Sequence, residues 1–261
     1  MFDRIRAWQR RHVARRYRVD DAQWTAAEAR LPFLRFLPSA ERARLRTLAL
    51  EFLAEKQMSG ARGFELSDRI KLCIALQASL PILNLGLDWY AGWVGVIVYP
   101  GDFVIQRVVT DEAGVVHKFD EAVLGEAWAG GPVLLSWQDA PAGDGVNVVI
   151  HEFAHKLDML RGDADGVPRL RPQMKRSDWI AAFEPTYRTF RAHVASGAES
   201  WLDPYAAENP AEFFAVTTEA FFETPLLLRE DCPDVYDQFQ RLFGLDPASG
   251  EAALLSADGA A

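Results

Sequence analysis

The stretch VVIHEFAHKLDML sets two histidines, His151 and His155, four residues apart, with Glu152 directly after the first. On a helix, four residues turn by about 400°, so the two imidazoles differ by about 40° around the axis and sit roughly 6 Å apart along it. Both reach one point. Neutral imidazole nitrogens bind zinc at about 2.0 Å, and two of them on one rigid helix lose little entropy on binding because their spacing is preset. Glu152 lies to one side of the pair, where its carboxylate reaches a metal-bound water, takes its proton and later hands it to a leaving amine. That is the mechanical content of His-Glu-x-x-His on a helix. The plainer alternative is a solvated helix face on which Glu152 pairs with Lys156 at i, i+4, worth about 0.2–0.5 kcal/mol.

A site of this kind needs a third protein ligand and an open position. Downstream, WLDPYAAENPAEFFAVTTEAFFE reads as a helix start, with Asn209 as N-cap and Pro210 at the first helical position. Glu212 has two readings there. As the third helical residue it fits a capping box that bonds back to the Asn209 backbone; or it projects toward the histidines as a ligand. The sequence leaves both open, and Asp158, Glu208 and Glu219 remain in range.

The elements that must position these groups follow from periodicity. If the motif is helical, Val146, Val149, Ile150, Phe153, Ala154, Leu157 and Leu160 form one apolar stripe, and His151, His155 and Asp158 fall on the other face. Residues 1–80 read as helical, with Asp20 or Asp21, Ser39 and Ser67 as N-caps and Pro81 near a helix end. WVGVIVYPGDFVIQRVVT reads as a hairpin turning at Pro100-Gly101-Asp102, and GPVLLSW as a further strand. In metallopeptidases of this kind a strand near the metal has a free edge that takes substrate as an added strand, and residues 132–137 are the expected one; an ordinary sheet strand is the alternative. GDADG is a turn after the motif, too short for an EF-hand loop. DPASGEAALLSADGAA reads as a loose tail. The fold class is α+β, mostly helical with a small mixed sheet. The expected organisation is an N-terminal helical region (1–75), a catalytic domain (76–246) and a flexible tail (247–261).

Composition sets the outer bounds. The 261 residues are 49% hydrophobic and 11% aromatic, enough for a sizeable core, and a net charge of -9 argues against nucleic acid as the main partner. Cys73 and Cys232 suit reduced thiols, and Cys232 has no histidine close in sequence to make it a nucleophile. His117 and His193 read as surface residues, and Trp89, Trp93, Phe213 and Phe221 as core. The arginine-rich start lacks the apolar segment of a signal peptide, and no run is long enough to span a membrane, so the expected location is the cytoplasm. That start reads as a solvated helix, with a basic amphipathic helix against anionic lipid or an acidic partner as the alternative.

HEFAHKLDML together with NPAEFFAVTTEAFFE, and DWYAGWVGVIVYPGDF followed by GPVLLSWQDA, resemble the Mlc titration factor A family of zinc peptidases over residues 63–243. The resemblance implies a zincin-like, gluzincin-type fold akin to the protease domain of anthrax lethal factor. It implies His151, His155 and Glu212 as zinc ligands and Glu152 as general base. It also implies an oxyanion-stabilising role for Tyr205, seven residues before Glu212; a tyrosine buried with a satisfied hydroxyl is the alternative. The activity implied is peptide hydrolysis, as an aminopeptidase. The family name points as well to a transcriptional repressor of sugar-uptake genes as a partner, and so to a second hypothesis: a non-enzymatic binding protein that titrates a repressor, its metal site structural or latent.

Overall fold

A computed structural model describes residues 17–110, 116–137 and 147–258. Helix α1 (Asp21–Glu28) opens with a capping box in which Asp20 accepts from Gln23 N and Gln23 reaches back to Asp20 N. Helix α2 (Ser39–Glu55) starts after Pro38 with no side-chain cap, so Ser39 is its first residue rather than its cap. The chain then leaves the helix for strand β1 (Gln57–Gly60). Ser67 caps α3 (Asp68–Ser79) by accepting from Ile70 N at 3.3 Å. The basic segment before residue 17, the QDAPAGDG turn region, Val146 and the side chain of His117 lie outside the described residues.

Five strands follow in sequence: β2 (Gly95–Tyr99), β3 (Phe103–Thr110), β4 (Val116–Val123), β5 (Gly125–Ala127) and β6 (Val133–Ser136). The main sheet has the order β1-β2-β6-β5, with β1, β2 and β6 parallel and β5 antiparallel to β6. The expected hairpin across Pro100-Gly101-Asp102 does not form. Both edges of β2 are taken by parallel neighbours, Ile97 pairing in register with Ser59 and Leu134, and β3 pairs with β4 as a separate ribbon. The turn residues signal that the chain changes direction, not which strand it meets.

Strand β6 is therefore internal, and the expectation of a free edge at residues 132–137 is corrected. All four of its residues are buried, and β5 occupies the edge instead.

The remaining chain is helical: α4 (Val148–Asp158), α5 (Arg176–Ala195), α6 (Pro210–Glu223), α7 (Pro225–Asp231), α8 (Pro233–Phe243) and α9 (Pro247–Asp258). Two aromatic clusters fix the helices that carry the motif residues. On α4, Phe153 is fully buried, its ring centroid 5.5 Å from Phe52, 5.2 Å from Tyr90 and 5.7 Å from Trp93. On α6, Phe214 and Phe221 pack with Trp179, Phe239 and Phe243. Each fully buried ring contributes about 1.5–3 kcal/mol by removal from water, so each helix is anchored by its own set of rings.

Helix α9 corrects the expectation of a loose tail over 247–258. Tyr236 Oη donates to Asp246 Oδ1 at 2.7 Å and accepts from Ala248 N at 3.0 Å, while Asp246 Oδ1 also accepts from Ser249 N. Ala248 is fully buried, and Gly250 lies so close to Phe36 that a Cβ would sit 2.8 Å from that residue's own Cβ. One buried cluster runs from Trp24 to Ala248, and α3 passes through residue 75 without a break. Neither Cys73 nor Cys232 is in a disulfide, and the buried Cys73 thiol donates to the Ala27 carbonyl. No helix among the described residues is long and apolar enough to cross a membrane.

Candidate metal centre

Helix α4 begins at Asn147, whose side chain accepts from Ile150 N at 2.9 Å, an N-cap worth about 1 kcal/mol. The expected stripe of Val149, Ile150, Phe153, Ala154 and Leu157 is buried. The opposite face is not solvated either, because β5 and α6 cover it: Glu152, His155 and Asp158 are all buried, and His151 is nearly so. Lys156 does not pair with Glu152. Its ammonium donates to the carbonyls of Trp128 and Gly131 in the β5–β6 turn and lies 4.8 Å from the Trp93 ring centroid. Burial and the neighbouring Lys56 push its pKa down to about 8.

Three side-chain atoms converge where the faces of α4 and α6 meet. His151 Nε2 lies 3.1 Å from His155 Nε2 and 3.0 Å from Glu212 Oε2, and His155 Nε2 lies 3.3 Å from the same oxygen. A tetrahedral ion with bonds of about 2.0 Å has ligand-to-ligand edges of roughly 3.3 Å. The triangle therefore matches one face of such a site. Among the described residues these three form the group of metal-ligating side chains suited to an ion. Glu212 reaches them because Asn209, not Glu212, satisfies the helix start, accepting from Ala211 N and Glu212 N at 2.9 and 3.0 Å. Of the other carboxylates in range, Glu208 is exposed, Asp158 turns to Gly166 N, and Glu219 stands behind His151.

Glu219 has a distinct place that the sequence reading missed. Its Oε1 lies 2.7 Å from His151 Nδ1, and its Oε2 accepts from Asn147 N. Asn147 Nδ2 in turn donates to Glu223 Oε1 at 2.7 Å. With the Nδ1 proton directed at Glu219, Nε2 of His151 is left as the nitrogen that faces the cluster. The signal was present: Glu212, Val216, Glu219 and Glu223 recur at i, i+4, i+7 and i+11, one face of α6.

The electrostatics are those of a cation site. Burial opposes charge on His151, yet Glu219 and Glu212 outweigh it and raise the imidazole pKa well above its ordinary value. Burial alone would raise the Glu212 carboxyl, but hydrogen bonds from His151 and His155 bring it down to about 2. A carboxylate cage that draws a proton onto imidazole draws a divalent cation by the same field. Glu152 differs: burial pushes its carboxyl up to about 8, and its Oε2 has no hydrogen-bond partner among the described residues. It sits under the edge strand, where a Cβ on Gly125 would meet Glu152 Oε1 at 2.4 Å.

The cluster opens on a cleft of about 690 Å³ walled by β5, α4, α6 and Tyr205. Tyr205 stands on the short turn Pro204–Ala207, its ring centroid 6.2 Å from that of His151. It is 48% exposed, which corrects the alternative of a buried tyrosine. The structure thus brings His151, Glu152, His155, Tyr205 and Glu212 to one cleft.

Residues 5–244 match the family described as Glucose-regulated metallo-peptidase M90. Mlc titration factor A of Salmonella schwarzengrund is 37% identical over 235 residues, 88% of each chain. Mlc titration factor A of Escherichia fergusonii is 36% identical over 234 residues, 87% of this chain and 88% of the relative. A match over most of the length, with a cluster suited to a metal ion at its centre, identifies this chain as a member of the glucose-regulated metallo-peptidase M90 family.

Proposed function

We propose that the protein is a cytoplasmic zinc-dependent metallopeptidase that hydrolyses peptides from the amino end. The observation that carries this reading is the triangle of His151 Nε2, His155 Nε2 and Glu212 Oε2, with edges of 3.0 to 3.3 Å at the floor of an open cleft. These three side chains hold the ion, and Glu219 fixes the tautomer and orientation of His151. Zinc bound there supplies a Lewis acid that polarises a peptide carbonyl and acidifies water.

The chain's own groups do the rest. Glu152 is the general base: it takes a proton from the attacking water and returns it to the leaving amine. Burial pushes this carboxyl up to about 8 in the metal-free chain, which suits it to return the proton; the charge of a divalent cation bound beside it favours the carboxylate form that accepts it. Tyr205, at the open side, donates to the carbonyl oxygen as negative charge grows on it. Strand β5, Gly125–Ala127, is an edge strand of the main sheet among the described residues and lines the cleft, where its backbone offers groups along which an extended peptide lies as an added strand. The described residues lining the cleft include the carboxylates of Glu126, Glu152, Asp203, Glu212 and Glu219 and no lysine or arginine. That field favours a peptide's ammonium end over its carboxylate end.

The relatives' name carries a second reading, in which the protein binds and titrates an Mlc-like transcriptional repressor through its surface. Glu152→Gln separates the two. It removes the base and leaves the ligands, so peptide hydrolysis falls by about 10²–10⁴-fold while zinc and any repressor binding are retained. Hydrolysis at the parent rate by this variant would overturn the mechanism.

A further inference from the structure

In the loop between α4 and α5, whose residues 161–163 and 165 are exposed, Gly166 is buried and tied at three points. Its N–H donates to Asp158 Oδ2 at 2.8 Å, and Asp158, the last residue of α4, is 1% exposed. Its carbonyl accepts from Trp179 Nε1 at 2.9 Å, and the Trp179 ring packs 6.0 Å from Phe214 on α6. Its third side has no room. A Cβ there would lie 2.5 Å from the carbonyl oxygen of Pro210, 3.0 Å from the carbonyl carbon and 3.2 Å from the Pro210 Cβ. Pro210 is the first residue of α6 and stands two before Glu212.

We infer that Gly166, held by Asp158, is the spacer that sets the distance between the helix bearing the two histidines and the start of the helix bearing Glu212. It is a positioning residue for the third ligand. The inference rests on the metal reading above. The backbone of Gly166 packs against that of Pro210, and its N–H is bonded to the side chain of Asp158, so Gly166 bridges the end of α4 and the beginning of α6 with no space to spare. A methyl group at 166 forces that contact open by roughly 0.5 Å or more, while metal–ligand bonds tolerate about 0.2 Å and a functional constellation about 0.5 Å. The flexible ends of His151 and His155 do not share this path. They ride on α4 itself, braced by Phe153 against Phe52, Tyr90 and Trp93. The effect of opening the contact therefore falls on Glu212.

The test is a zinc titration against a chromophoric chelator, with folding followed by circular dichroism and thermal melting. Gly166→Ala is the direct variant, and Asp158→Ala, which releases the Gly166 N–H without adding volume, is the second should the first not fold. Gly166 has positive φ (78°), so Gly162→Ala is the control for backbone strain: Gly162 also has positive φ (146°), but a Cβ there meets nothing within 4 Å. Loss of an interaction that supports a ligand typically costs about 10–100-fold in metal affinity. We expect a loss of that order for Gly166→Ala and Asp158→Ala, and none for Gly162→Ala. In a Glu212→Gln background the same substitutions should cost less than about threefold, because the ligand through which they act is gone. Parent-like affinity in a folded Gly166→Ala or Asp158→Ala variant overturns the inference. So does an undiminished loss in the Glu212→Gln background, or an equal loss in Gly162→Ala. A parent chain that binds no zinc fails the metal reading itself and takes this inference with it.

Discussion

Gly125→Ala tests whether the base works only in the place the edge strand leaves for it. A Cβ at residue 125 would lie 2.4 Å from Glu152 Oε1, 2.6 Å from its Cγ and 2.8 Å from its Cδ. All three atoms belong to one side chain, and ordinary contact needs roughly 3.5 Å between carbon atoms, so the carboxylate must move by about 1 Å. Glu152 is 5% exposed, and this movement has to be taken up by an off-rotamer torsion costing about 0.5–1.5 kcal/mol. Misplacement of a reacting group by 1 Å costs on the order of 10²-fold in rate. The backbone is not strained by the change, since Gly125 lies in a strand and is absent from the positive-φ positions. Zinc stoichiometry should be unchanged, because the three nearest atoms belong to Glu152 and not to a ligand. The assay is kcat and KM on an aminoacyl chromogenic peptide, with zinc measured on the same samples. A kcat within about threefold of the parent would refute the argument. So would a further loss when Gly125→Ala is added to Glu152→Gln, since a displaced base cannot matter once it is removed.

Two further predictions concern the groups behind the site. Glu219→Gln weakens the hold on His151 Nδ1, and zinc affinity measured by chelator competition should fall about 10–100-fold with the fold intact; unchanged affinity would leave Glu219 a packing residue. Asp158 gives a pH signature in metal-free protein. Burial raises its carboxyl to about 6 against an ordinary 3.8, so the folded chain binds the proton more tightly than the unfolded chain does. The contribution is therefore fully present below the unfolded pKa and is lost as pH rises through about 6, by at most ~3 kcal/mol. Urea melts between pH 4 and pH 7 should show this decline in the parent and a flatter profile in Asp158→Asn. Equal slopes would remove the assignment.

Much of the motif helix was legible because its determinants are local. The stripe from Val149 to Leu157 follows the helical period, and Asp20, Ser67 and Asn209 cap helices by the short-range bonds their side chains make best. The sheet was far less legible. Strand β1, Gln57–Gly60, has no β-branched residue and becomes a strand only through parallel pairing with β2, and β5 is three residues long. Neither carries a periodic signal, and pairing between strands distant in sequence has none to carry. The role of Glu212 was undecidable for a related reason. A glutamate at the third helical position serves equally as a cap or as a ligand, and the outcome depends on where α4 lies, which is set by the aromatic packing of Phe153 and Phe214. The helix after Asp246 was missed because an alanine-rich, weakly apolar segment reads as unanchored; its anchor is the hydroxyl of Tyr236, in a different helix.

The central claim is that one zinc ion is held jointly by the imidazoles of α4 and the carboxylate of α6. Elemental analysis of protein purified without added metal tests it most directly, on the parent chain beside His155→Ala and Glu212→Gln. The account predicts close to one zinc per parent chain and loss of that zinc in both folded variants. A parent chain without zinc, or zinc retained in full by either folded variant, would contradict it.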